Sequence, residues 1–202
     1  MFVSLNVSAQ KEIYFSDKPR DSVSIVGVRG IQLTTLLTST QTGVSFPVSI
    51  GYFNELKSGN TTSFILSANI GVTKAVISYK RILDSNGIYI GSDFTYGYGF
   101  QLNVKAESRL YFDYQKRYET GKTTKLNSGW FLGLPVEINT NPFTSYSPFG
   151  LNLKTGPSLG YRGALSNRLF IEGAIGGSLN LYSFHYLQLT PDFNLKLAYI
   201  FK

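Results

Sequence analysis

Apolar and polar residues alternate with a period of two along most of this chain, in runs of about 10 to 13 residues. In an extended strand successive side chains point to opposite faces, so this period specifies strands with one apolar face and argues against helices. From Trp130 one face reads Trp130, Leu132, Leu134, Val136 and Ile138, set against Phe131, Gly133, Pro135, Glu137 and Asn139. From Leu169 the pattern is Leu169, Ile171, Gly173, Ile175, Gly177, Leu179 and Leu181 against Phe170, Glu172, Ala174, Gly176, Ser178, Asn180 and Tyr182. The last run sets Phe193, Leu195, Leu197, Tyr199 and Phe201 against Asp192, Asn194, Lys196, Ala198 and Ile200. Other runs start near Val23, Val44, Thr62, Ala75, Ile88, Val104 and Phe149, which segments the chain into ten strands. Turn signals separate them at Lys57-Ser58-Gly59-Asn60, Asp84-Ser85-Asn86-Gly87 and Ser166-Asn167, with longer polar links over 115–128 and 139–147.

These runs exceed the usual strand of about 5 to 6 residues and match a tilted membrane-crossing strand of roughly 9 to 11. A strand that crosses lipid must satisfy its backbone hydrogen bonds within the protein, so spanning strands close into a barrel. Charged residues make up only 15% of the 202, against roughly 25% in soluble domains. The longest uncharged stretch, 30–54, is rich in Thr, Ser and Gly and carries Pro47, unlike a spanning helix. The expected fold is therefore all-β, an antiparallel up-and-down transmembrane β-barrel of eight to ten strands. Ten follows from the segmentation. Eight, with one long hairpin outside the membrane, is the alternative.

Alternation alone leaves open which face meets lipid, because a lipocalin-like soluble barrel alternates too. The polar face is rich in Gly, Ser and Ala, which makes room in a narrow lumen and would only weaken strands on a wet exterior. Aromatic residues gather near strand ends, as in Tyr96, Tyr98 and Phe100, or Phe112 and Tyr114, which interfacial girdles predict. With the apolar face outward, the lumen receives Lys80, Lys105, Arg109, Lys154, Arg162 and Lys196, against Asp93, Glu107, Asp113, Glu137 and Glu172. An unpaired buried charge is very costly, so this set must pair. An interior of about eight strands is just wide enough for side chains to fill, which predicts a plugged lumen.

Other function classes are excluded by composition. With no Cys and a single His, the chain has no disulfide framework, no thiolate zinc site and no two-His metal cage. No cofactor or metal is expected. The net charge is +7, but its densest basic cluster, Lys116, Arg117, Lys122 and Lys125, is diluted by Glu119. No Lys/Arg stripe of the kind that follows a phosphate backbone occurs, so nucleic acid is not expected as a partner. Near the N-terminus Val7-Ser8-Ala9 has the small-residue spacing of a signal-peptidase site. Residues 1–10 read as the remnant of a signal peptide, 11–21 as an N-terminal periplasmic segment and 22–202 as the barrel.

Residues Gly156-Pro157-Ser158-Leu159-Gly160-Tyr161, after Phe149-Gly150-Leu151-Asn152-Leu153, are similar to segments of the small OmpA-like outer-membrane β-barrel proteins of Gram-negative bacteria. So is Phe131-Leu132-Gly133-Leu134-Pro135-Val136. The C-terminal strand, Asn194 to Phe201, resembles the signal those proteins show to the barrel-insertion machinery, although here Lys202 follows the terminal aromatic. The resemblance covers 22–202. It implies the bacterial outer membrane, with its lipid and lipopolysaccharide, and the assembly machinery as partners of a monomer. It implies no particular activity.

Two nucleophile patterns can be weighed. Gly156-x-Ser158-x-Gly160 has the letters of a hydrolase elbow, but that motif needs a strand, a sharp turn and a helix, and here alternation continues through it. His185, with Ser183 nearby and Glu172 to orient the ring, is the one candidate for a lipid-modifying hydrolase. An interfacial His in an aromatic loop accounts for it as well. The expected role is thus non-enzymatic: structural, anchoring or interaction through the loops 139–147 and 182–191. Phe143, Tyr146, Phe184, His185 and Tyr186 are its contact candidates. A lipid hydrolase and a soluble exported binder of apolar ligands are the alternatives. Leu134→Lys separates lipid face from dry cavity. On a lipid face it costs about 2–4 kcal/mol at the midplane, read by denaturant unfolding in vesicles, whereas in a cavity it blocks folding in water.

Overall fold

A computed structural model describes residues 24–40, 43–45, 47–140, 142–143, 150–182 and 186–201. The expected signal remnant and N-terminal periplasmic segment lie outside the described residues. So do Tyr146, Phe184 and His185.

Ten strands form one antiparallel sheet: β1 (Val28–Thr40), β2 (Gly43–Ser45), β3 (Val48–Lys57), β4 (Thr62–Leu83), β5 (Tyr89–Tyr111), β6 (Gly129–Thr140), β7 (Leu151–Thr155), β8 (Ser158–Ala164), β9 (Leu169–Tyr182) and β10 (Tyr186–Ile200). The sheet closes where β10 pairs with β1, from Gly30 opposite Ile200 to Thr38 opposite Asp192. β7 and β8 lie end to end between β6 and β9 and count as one wall position. They keep a single register on β6: Val136 faces Thr155, and Gly133 faces Ser158. Their break falls at Gly156-Pro157, opposite Pro135 on the neighbouring strand, where two prolines remove two backbone donors. Hydroxyls replace them there. Thr155 Oγ1 donates to the Pro135 carbonyl at 2.9 Å, and Ser158 Oγ to that of Gly133 at 3.4 Å.

The ring therefore has eight wall positions, with β2 lying beside the end of β1. The ten-run segmentation overcounts because four runs join in pairs: those from Thr62 and Ala75 make β4, and those from Ile88 and Val104 make β5. β3 leaves β4 at Val72, and β6 leaves β5 at Asn103. Beyond those points β4 and β5 continue as a two-stranded hairpin to a turn at 84–88. The 182–191 loop also shortens, because β10 starts at Tyr186 and includes Pro191. Pairing of β10 with β1 ends at Asp192, so Pro191 sits where the strand is partnered on one side only, which proline tolerates.

The two ends differ. Both described ends of the chain and the turns 58–61 and 165–168 share one end. The 112–128 link lies there too and is not an open loop: it folds into α1 (Tyr114–Glu119) and a 3-10 turn (Lys125–Asn127). This link closes the barrel mouth with residues 24–27. Ile25 is buried against Tyr111, Tyr114 and Phe131. Asn127 holds the Val26 backbone from both sides, accepting its N–H at 2.9 Å and donating to its carbonyl at 2.8 Å. Leu126 and Asn127 adopt left-handed φ values of 54° and 60°, which side chains enter only when surroundings hold them. The hairpin extends from the other end.

The alternation resolves outward for apolar residues. Ile31, Leu33, Ile50, Tyr52, Leu66, Ile70, Val104, Leu132, Leu134, Ile175 and Leu197 are all exposed around the wall. Leu132, Leu134, Leu151 and Leu153, which would line the cavity of a soluble apolar-ligand binder, also stand on the outward row, the first three exposed and Leu153 half-buried. Inward positions hold small or polar residues and a few rings. At Gly160 an added Cβ would come within 2.3 Å of Phe131 Cζ. Gly160→Val is expected to push that ring aside and cost about 1–3 kcal/mol, measured by urea unfolding of the refolded barrel. Gly163→Ala, with its nearest atom 3.5 Å away, should leave the midpoint in place.

Candidate functional site

The inward side chains of the closed end form a charge network that reaches most of the wall. Glu172 on β9 accepts from Arg109 on β5 through both oxygens, at 2.7 Å each. It also accepts from Arg162 Nε on β8 at 2.9 Å and lies 3.1 Å from Lys196 Nζ on β10. Arg109 turns its other edge to Glu107, at 2.7 and 3.0 Å, and Glu107 in turn pairs with Lys105 at 2.8 Å. Arg162 reaches Glu55 on β3 at 2.5 Å. Two fork-to-carboxylate contacts on one Arg give the strongest and most directional form of ion pair.

Rings line this layer. Arg109 lies over Phe131, 3.9 Å from the centroid, and Arg162 over Phe170 at 4.3 Å. Phe53 meets Phe170 edge to face. The second Glu55 oxygen accepts from Ser63 at 2.7 Å and Tyr111 at 2.8 Å, so the carboxylate is satisfied on both sides. Below the layer, Arg162 also donates to the Leu126 carbonyl at 3.3 Å, which ties the mouth-closing turn to the charges. Burial there pushes the Tyr114 hydroxyl up from its ordinary pKa.

Towards the open end amides join the charges. One register level carries Gln32, Gly51, Asn69, Asn103 and Asn139 on consecutive strands. Gln32 donates to Asn69 at 2.7 Å, Asn69 to Asn103 at 2.9 Å, and Asn103 to both Glu137 and Asn139 at 2.5 Å. Gly51 makes the first step possible, since a Cβ there would lie 2.2 Å from Asn69 Oδ1. The same region encloses about 50 Å³ lined by Gln32, Ser49, Asn69, Asn103, Asn139 and Asn194. Small-molecule sites occupy about 300–1,000 Å³, so this space takes water-sized groups only. A second depression of about 460 Å³ lies along the wall, lined by Phe64, Leu110, Leu132, Leu134 and Pro157.

The structure gathers Lys105, Glu107, Arg109, Glu137, Lys154, Arg162, Glu172 and Lys196 in the lumen. It does not gather Lys80, Asp93 or Asp113. Lys80 and Asp93 face each other on the projecting hairpin, beyond the last flanking strand, and both are exposed. Asp113 sits at the closed mouth, accepts the Trp130 N–H at 2.8 Å and lies 3.9 Å from Arg117. Two lumen carboxylates escape the sequence reading, Glu55 and Asp192, the latter paired with Lys154 at 2.7 Å. The signal for Glu55 was present: the outward row Ile50, Tyr52, Asn54, Leu56 puts Phe53 and Glu55 inward. With those changes the described residues of the lumen include five cations, Lys105, Arg109, Lys154, Arg162 and Lys196, and five carboxylates, Glu55, Glu107, Glu137, Glu172 and Asp192. Ser158 lies within β8, not at a strand-to-helix turn. Of the loop contact candidates, Phe143 is exposed and its N–H bonds the Phe100 carbonyl at 2.6 Å, while Tyr186 begins β10.

No family model matches the chain, and no curated protein matches its sequence. Among solved structures it is similar to the beta domain of the Bordetella autotransporter BrkA, at 12% identity over 87% of this chain and 99% of that one, with a TM-score of 0.27. So slight a likeness carries no argument about activity or partners. The charge network makes its own demand. Glu172→Ala leaves Arg109, Arg162 and Lys196 without their shared partner, and is expected to cost about 3–5 kcal/mol in urea unfolding of the refolded barrel. Lys80→Ala, at an exposed site, should stay within about 0.5 kcal/mol of the parent.

Proposed function

We propose that this chain is an outer-membrane β-barrel whose lumen is closed by its own salt bridges. Its role is structural, anchoring or interactive and involves no catalysis. The observation that carries the reading is the inversion of the two faces. Apolar side chains ring the outside, while among the described residues ten balanced charges line the inside. Monomeric soluble proteins rarely expose contiguous apolar patches beyond a few hundred Å². In lipid the same belt is the solvent-facing surface, and the closed ladder satisfies the backbone.

The asymmetry of the ends supports an orientation. Bacterial barrels keep short turns on the periplasmic side and longer loops outside. Here the short turns 58–61 and 165–168 support a periplasmic position for that end, and the long hairpin supports an outside position for the other, while the 112–128 link is long but folded. The expected partners are outer-membrane lipid, lipopolysaccharide and, through the C-terminal strand β10, the barrel-insertion machinery. The chain acts as a monomer. Arg109, Arg162 and Glu172 block the lumen, so passage of solutes is not part of its role.

Two measurements test this. Membrane-extracted protein should run faster on SDS gels unboiled than boiled. In planar bilayers it should give no steady conductance steps. A protein that leaves the membrane fraction without detergent and shows no heat shift would sink the membrane reading, and a stable open channel would sink the plug.

A further inference from the structure

The hairpin above the ring carries a face that none of the described residues covers. β5 alternates without interruption from Tyr111 to Gly91, so Phe100, Tyr98, Tyr96 and Phe94 continue the outward row of Val104 and Leu102. All four rings are exposed, and Tyr98, at 81%, is the most exposed large apolar side chain among the described residues. The opposite face of the same strand offers Gly91, Asp93, Thr95, Gly97 and Gly99, with no bulky group to pack against.

The charges on the hairpin are sorted between its faces. Lys74 pairs in register with Tyr98, and its ammonium lies 4.4 Å from the centre of the Tyr96 ring. A register shift between Val76 and Ser78 changes the phase of β4. It turns Lys80 towards Asp93 on the inner face and sets Arg81 opposite Ser92 on the outer one. The remaining carboxylate, Asp84, is used in the turn, where it accepts the Asn86 and Ile88 N–H groups at 2.9 and 2.7 Å. Among the described side chains of the hairpin, the outer row of β5 thus sets four rings beside two cations of β4 and no carboxylate.

We infer that this outer face binds the phosphorylated saccharide headgroups of glycolipid in the surrounding leaflet. The inference rests on the membrane reading above and adds to it a defined site, the outer face of the hairpin, and the headgroup chemistry that the site selects. The aromatic row is continuous with the apolar belt and starts where the flanking strands stop, at the level where hydrocarbon gives way to headgroups. Rings there stack on the apolar faces of sugars and anchor at the interface. Lys74 and Arg81 supply charge to phosphate, with the Lys74 ammonium already held over a ring face. A plain phospholipid offers the phosphate without the sugar platform. A neutral glycolipid offers the platform without the charge.

The test uses the full-length barrel in detergent, titrated with three probes: bisphosphorylated lipid A, the same glycolipid without phosphates, and phosphatidylglycerol. Retention is read by native mass spectrometry. The parent should retain bisphosphorylated lipid A over both others. Lys74→Ala with Arg81→Ala should lower that retention about thirtyfold, the effect of losing two cations near an anionic surface. Tyr96→Ala with Tyr98→Ala should abolish the preference over phosphatidylglycerol. Each variant must keep the heat shift of the parent, and a single pair, Lys74→Ala with Tyr98→Ala, stands in for any double variant that does not fold. Equal retention of the three lipids by the parent would overturn the inference, as would variants that keep its full preference. If the heat shift is present in that case, only the lipid assignment fails. If the parent shows no heat shift, the membrane reading fails first.

Discussion

Glu172 is the carboxylate on which three cations from three other strands converge. Arg109 arrives from β5, Arg162 from β8 and Lys196 from β10, and through Arg162 the network extends to Glu55 on β3. Its members come from strands spread through the whole chain, so it can form only when the sheet has closed. The closure and the charges therefore depend on each other. A ring without the network would bury unpaired ions, each costing several kcal/mol. A network without the ring would have its arginines and glutamates in water, where they contribute little.

The aromatic residues inside complete this arrangement. Phe53, Phe131 and Phe170 occupy inward positions that alternation alone assigns to polar groups. Phe131 and Phe170 take a planar face of Arg109 and of Arg162, which hydrogen bonds cannot use, and Phe53 lies 5.8 Å from the Lys196 ammonium. In Arg109 and Arg162 the edges thus go to carboxylates and one face to a phenylalanine ring. The mouth-closing link continues the same logic, with the Leu126 carbonyl accepting from Arg162 and the Asn127 amide gripping the chain at Val26. The result is a barrel dense in charges at one end, with amides joining the remaining charges towards the other, where the small cavity lies.

Much of this was legible from residue order. The runs from Trp130, Leu169 and Phe193 predict both the strand and its outward face, because a slip by one residue would turn every Leu inward. Arg109, Arg162, Glu172 and Lys196 were legible as lumen residues for the same reason. The strand count was not, because alternation is a local property. It reads the same whether a strand has neighbours on both sides or on neither, so β4 and β5 looked like four strands. Lys80 and Asp93 were misplaced by that same blindness, having the right parity but standing above the ring.

Residue order by itself determined that the chain makes long two-faced strands, that its exterior is apolar and that opposite charges share the interior. Side-chain parity and the cost of burying ions suffice for that. Only the tertiary structure decided which charges meet, since Glu55 and Arg162 lie 107 positions apart and their contact depends on how far each strand is shifted against the next. It also decided that eight wall positions close the ring, that the 112–128 link folds under the barrel, and that the strongest aromatic run stands outside it. Those outcomes follow from where neighbouring strands end, a relation between distant segments that no local pattern records.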